Sequence, residues 1–197
     1  MRAAVLAILV ASTSLASAEP VQVTLGAEVG GGAVTMFGTR YGTVNAGIEL
    51  DGATWLSPHL GVGLRLAQLD SVPVRDPHMD GYPIVREAPW IVEPQLLART
   101  ISQHRRVRLG WLASVGVGAA VLRTQELCGG GGSLGDDELS SHSCVITKQQ
   151  STALEGSVSA GGYGEAYHVA MFVGLRASTN SGGDSAAGLV ANLGATF

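Results

Sequence analysis

The chain has 197 residues, a formal net charge of −4 and an isoelectric point near 5.7. An acidic chain lacks the positive footprint that grips phosphate backbones, which excludes a nucleic-acid partner. Charged residues make up 14%, against roughly 25% in an ordinary soluble domain, while 46% are hydrophobic, 5% are aromatic and 28 residues are glycine. That balance is too apolar for disorder and favours an exported or membrane β-protein over a soluble enzyme.

Residues 1–18 read MRAAVLAILVASTSLASA. Arg2 supplies a positive start, and Ala3 to Val10 is an apolar run too short to span a bilayer as a helix. Ala16-Ser17-Ala18 has the small-residue cleavage pattern, so a signal peptide cut after Ala18 is predicted. Cutting there leaves 179 residues with 11 basic and 16 acidic side chains. No later stretch reaches the ~18 consecutive apolar residues of a membrane helix.

After residue 20 the dominant signal is alternation with period two, the mark of strands. The first, about 21–31, puts Val21, Val23, Leu25, Ala27 and Val29 in one row, with Glu28 in the other. The second, about 42–51, sets Val44, Ala46, Ile48 and Leu50 against Asn45, Gly47, Glu49 and Asp51. The third, about 59–69, sets Leu60, Val62, Leu64 and Leu66 against Gly61, Gly63, Arg65 and Ala67. The fourth, about 90–101, is less regular, with Trp90, Val92, Leu96 and Ala98 against Glu93, Gln95 and Arg99. Its Pro94 donates no ladder bond and marks an edge or bulge.

The fifth strand, about 106–121, is the clearest: every odd position from Val107 to Val121 is apolar, and Arg106, Arg108, Gly110, Ser114, Gly116 and Gly118 lie between. The sixth, about 152–162, sets Leu154, Val158 and Ala160 against Glu155, Ser157 and Ser159. The seventh, about 166–178, sets Tyr167, Val169, Met171, Val173, Leu175 and Ala177 against His168, Ala170, Phe172, Gly174 and Arg176. The eighth, about 188–197, sets Leu189, Ala191, Leu193, Ala195 and Phe197 against Val190, Asn192, Gly194 and Thr196.

Several of these eight strands exceed the ~5–6 residues usual in soluble sheets and reach the ~9–11 that cross a membrane. Connections near 52–58, 102–105 and 163–165 are short. Those near 70–89 and 122–151 are long, and those near 32–41 and 179–187 are intermediate. One rim therefore carries tight turns and the other the excursions, as transmembrane barrels do. Two further strands would fit if 70–89 held a hairpin. Glu28, Glu49, Arg65, Glu93, Arg99, Arg108, Glu155 and Arg176 all fall on the row opposite the apolar one. A soluble barrel with apolar residues inside would carry an outer row rich in Lys, Thr and Glu, whereas this row is mainly Gly, Ser and Ala, and Lys148 is the one lysine. The expected fold is a closed antiparallel up-and-down transmembrane β-barrel, since an open edge in lipid would strand backbone groups.

These features together resemble the small outer-membrane barrel proteins of the OmpA/OmpX type. The resemblance is carried by the leader, the eight alternating strands, the short and long connections, and a last strand with Leu189, Ala191, Leu193, Ala195 and terminal Phe197. The family often has an aromatic two places before the end, where this chain has Ala195. The resemblance covers 19–197 and is architectural. It implies a Gram-negative outer-membrane location, lipid as the surrounding partner, and recognition of the last strand by the assembly machinery.

Eight strands leave an interior that side chains fill, whereas a water-filled porin needs ~16 strands. Charges inside must be paired. The expected lumen network comprises Glu28, Glu49, Arg65, Glu93, Arg99, Arg108, Glu155, His168 and Arg176. Glu155–Arg176 and Glu49–Arg65 are its candidate pairs; Arg99 and Arg108 flank a short turn and need Glu49 or bulk water. Trp55, Tyr163, Tyr167 and Phe197 are assigned to an interfacial girdle at the short-turn rim, and Phe37, Tyr41 and Trp90 to one at the other.

Cys128 and Cys144 both lie in the longest loop, and an exported chain favours their disulfide. Asp136, Asp137, Glu138 and His142 could bind a metal, but an acidic, glycine-rich loop reads more simply as solvated. Glycines 129–132 lack the helix and lysine of a phosphate loop. No lipid-facing row carries Ser or His, and no nucleophile–base–orienter set stands out, so no catalytic residue or cofactor is assigned. The reading is a monomeric barrel with a structural, adhesion or surface-interaction role toward an unidentified extracellular ligand. A narrow channel or transporter of small apolar molecules is the alternative, and a lipid-modifying enzyme comes third.

Overall fold

The computed structural model describes residues 21–36, 39–74, 84–104, 106–126 and 149–197. The leader, Phe37, Cys128, Cys144 and the acidic residues 136–138 with His142 lie outside the described residues.

The strands are β1 (Gln22–Met36), β2 (Thr39–Trp55), β3 (Leu60–Pro73), β4 (Ile84–His104), β5 (Val107–Glu126), β6 (Gln149–Ala166), β7 (Val169–Asn180) and β8 (Ser185–Thr196). Each pairs antiparallel with its sequence neighbours, and β8 returns to β1, closing an eight-stranded up-and-down barrel. The segment 70–89 supplies the end of β3 and the start of β4, with no further strand among its described residues. The connection expected at 32–41 is largely strand, since β1 continues to Met36 and β2 resumes at Thr39. The β6–β7 turn falls at 167–168 rather than 163–165. Glycine clusters at 30–32 and 161–164 hide the alternation in both places.

The barrel is inside out relative to a soluble one. Leu25, Ile48, Leu96, Leu154, Leu175 and Leu189, on six strands, are each 61–65% exposed on the outer surface. Glu28, Glu49, Arg65, Glu93, Arg99, Glu155 and Arg176 are at most 4% exposed, in the lumen. Such an outer belt suits hydrocarbon, where a midplane charge would cost about 2–4 kcal/mol.

Two features adjust the cylinder. The ladders shift register on β4 around Ala88 and Pro89. The β4–β5 ladder then passes from Val92↔Ala119 to Gln95↔Gly116 around Pro94, which has no N–H to offer. Facing glycines at Gly161↔Gly174 let β6 and β7 approach so closely that a Cβ on either would strike the other's backbone.

Toward the long-loop end, Leu69, Ala88, Ile91, Ala120, Leu122, Ala153 and Ala186 form a buried apolar cluster across five strands. The lumen thus has an apolar stopper on one side of its charged centre.

Candidate functional site: the charged lumen

Arg65 on β3 organises the centre. Its Nε donates to Glu49 Oε2 on β2 at 2.8 Å, Nη1 to Glu93 Oε2 on β4 at 3.1 Å, and Nη2 to Glu28 Oε2 on β1 at 3.3 Å. Arg176 on β7 donates Nη1 to Glu28 at 3.3 Å and also to Glu49. Ser157 on β6 donates to Glu93, and Asn192 on β8 donates to Asp51. In this low-dielectric interior each ion depends on several charge-assisted hydrogen bonds for compensation. Room for Glu93 comes from Gly116, where a Cβ would land on its carboxylate. Three glutamates share two guanidiniums, leaving one formal negative charge in excess.

A second layer closes the short-turn end. Arg99 stacks on Trp55, 3.7 Å from the ring centroid, and its Nε donates to Pro58 O at 3.0 Å. The Tyr163 hydroxyl lies 3.2 Å from Gln22 Oε1 and 3.1 Å from Glu165 Oε2. At the other end, Arg86 donates to Asp184 Oδ2 at 3.1 Å and to Thr124 Oγ1 at 2.6 Å, while Asp184 Oδ1 accepts the Thr35 N–H at 3.1 Å.

Cavities within the lumen have volumes of about 30 and 40 Å³. The residues lining the larger include Asp51, Gln95, Arg176 and Asn192, whose Oδ1, Nε2, Nε and Oδ1 atoms respectively have no protein hydrogen-bond partner. Its size and polarity suit a few waters rather than a ligand.

The structure corrects parts of the expected network. Glu155 and Arg176 do not pair: the register sets Glu155 opposite Asn180 and Arg176 opposite Ser159. Arg108 does not reach Glu49, because its cross-strand partner is Glu165, at 3.5 Å. His168 stands exposed in the β6–β7 turn, outside the lumen. Trp55 and Tyr163 are not girdle residues, being 3% exposed inside the barrel, and Tyr41 packs on buried Val34. Among the described residues, Trp111, Trp90, Tyr167 and Phe197 are the exposed aromatics, at 55–78%.

Sequence reasoning missed the Arg86–Asp184 contact and the apolar stopper. Strand parity was the available signal for the stopper: Leu69 falls on the row of Arg65, and Leu122 on that of Arg108 once the fifth strand is extended.

Comparison with protein-family models and with curated proteins finds no match. Among solved structures, Neisserial surface protein A aligns with 92% of this chain and 99% of its own at 11% identity and a TM-score of 0.55. The attachment invasion locus protein Ail of Yersinia pestis, solved with the heparin analogue sucrose octasulfate, aligns with 91% of this chain and 99% of its own. Its identity is 14% and its TM-score 0.50. These likenesses cover about nine-tenths of this chain and nearly all of each other chain, and with the closed eight-strand ladder and the outward apolar belt they place the architecture. The chain has the fold of the small eight-stranded outer-membrane β-barrels of the OmpA/OmpX type.

Proposed function

We propose that this barrel resides in the outer membrane of a Gram-negative envelope and serves as a structural and surface-interaction protein rather than a pore. The observation that carries the reading is the lumen itself, where Arg65 and Arg176 bind Glu28, Glu49 and Glu93 between an apolar stopper and the Arg99–Trp55 stack. A centre cross-linked between opposite walls favours a scaffold for loops over a conduit. The signal peptide is cut after Ala18. The assembly machinery then reads the outward row Leu189, Ala191, Leu193, Ala195 and Phe197, of which Leu189, Leu193 and Phe197 are 59–78% exposed. The long connections face outside, and Cys128 and Cys144 join in a disulfide that gives the longest loop a fixed shape for an extracellular partner. Attachment, the role stated in Ail's name, is a task of this kind.

Planar-bilayer recording of purified protein tests the plugged lumen. The expected trace has no discrete openings, and reproducible single-channel steps would replace this reading with the narrow channel. No catalytic residue is assigned. The acyl pattern of lipid A, compared by mass spectrometry in cells with and without the protein, is expected to be unchanged.

A further inference from the structure

The short-turn mouth carries a cleft of about 320 Å³ lined by Gln103, Arg106, Arg108, Glu165 and Tyr167. It lies where the β4–β5 and β6–β7 turns sit side by side, as the pairing Val107↔Ala166 requires. Two guanidiniums meet one carboxylate there. Arg108 approaches Glu165 at 3.5 Å, a looser contact than the 2.8 and 3.1 Å pairs of the lumen centre, and its side chain stays 33% exposed. Glu165 is also engaged by the Tyr163 hydroxyl. Arg106, exposed in its turn, extends over Tyr167 at 6.0 Å from the ring centroid. Tyr167 is the non-glycine residue with positive φ, 58°, among the described residues, so the turn backbone fixes the base of an exposed ring beside Arg106. Just beyond the cleft, Val107, Leu109, Trp111 and Val169 are exposed on the outer face, so it sits where the apolar belt ends.

We propose that this cleft binds a phosphate ester, held by the guanidinium forks of Arg106 and Arg108. Planar forks match phosphate oxygens, and two cations against one carboxylate leave a formal positive charge at the mouth. Gln103 adds an amide donor at the same edge. The phosphate can come from a phospholipid headgroup, whose acyl chains would lie along the belt, or from a soluble ester. The lipid source rests on the membrane placement proposed above; the soluble source does not.

The test uses the full processed chain in maltoside micelles, which contain no phosphate, titrated separately with dihexanoyl phosphatidylglycerol and with glycerol phosphate by calorimetry. Saturable binding of the lipid is expected, with affinity lowered about tenfold by Arg106→Gln and by Arg108→Gln and unchanged by Arg123→Gln at the opposite end. A heat-induced gel shift in each variant confirms that the barrel is intact. Equal affinity for glycerol phosphate assigns the site to soluble esters, and preference for the lipid assigns it to a headgroup. Absence of saturable binding by either compound overturns the proposal, as does equal weakening by all three substitutions. Such a failure leaves the membrane placement standing; recovery of the native protein in the soluble cell fraction would instead overturn the placement and leave the glycerol phosphate arm valid.

Discussion

Arg176 and Glu28 are 148 residues apart in the chain and 3.3 Å apart in the barrel. β8 lies between their strands, so this contact forms only when the sheet has closed on itself. Arg65 meets the same Glu28 oxygen from β3, on the other side of β1 and β2. The charged centre therefore ties the closing seam to the opposite wall.

Arg65→Ala removes the main counter-charge of Glu28, Glu49 and Glu93 together. Breaking a buried pair from one side costs about 3–5 kcal/mol, because the remaining ions stay buried. The expected result is a matching loss in urea unfolding followed by tryptophan fluorescence in micelles. Glu28→Gln should cost less, since Glu49 still serves both arginines.

Gly116→Ala tests the packing of the same centre without touching a charge. The added methyl occupies the space of the Glu93 carboxylate and pushes it from Arg65. Overpacking of this kind costs about 1–3 kcal/mol. Ala113→Gly, on the outer face of the same strand, is the comparison and should not disturb the Glu93–Arg65 contact in a crystal structure.

Depth in the membrane should govern substitutions on the outer face. Leu175 lies mid-strand on β7, and Val107 opens β5 at the short-turn rim. Leu175→Arg is expected to cost about 2–4 kcal/mol and Val107→Arg about 0–1 kcal/mol. Unfolding of both variants in lipid vesicles measures the difference; equal costs would deny the belt its membrane contact.

The proposed Cys128–Cys144 bridge is checked by intact-mass measurement of the protein recovered from membranes after alkylation with and without reductant. The oxidised protein should take up no alkyl group, and the reduced protein two. Closing about 15 residues is worth ~3 kcal/mol against the open loop in the chain-entropy model. Faster proteolysis of the 127–148 segment should therefore follow reduction, with the barrel fragment intact.

Much of this architecture is written in side-chain parity. Alternation fixes the face of Glu49, Arg65, Glu93 and Arg176, because a one-residue slip would turn each into hydrocarbon. The same rule also places two aromatic rings. Trp55 shares the row of Glu49 and Asp51, and Tyr163 that of Glu155 and Ser159, so parity alone points both rings inward. Partner choice is another matter. Which carboxylate meets which guanidinium depends on the stagger between strands, and Glu155 misses Arg176 through a four-residue offset in the β6–β7 ladder. Stagger is set by turn lengths and closure, properties of the whole chain that no single strand displays. The cleft by Arg106 and Tyr167 was hidden for a similar reason, since it exists only where two separate turns become neighbours.

The seam between β1 and β8 has a temporal consequence. As the polypeptide emerges from its N-terminal end, β1 can zip to β2 at once, but the backbone amides on its other edge wait for the final strand to be delivered. Until then the nascent sheet offers a sticky border to any passing strand, its own copies included. Any passage through water before closure leaves that border bare, and half-made molecules are the ones most prone to aggregate.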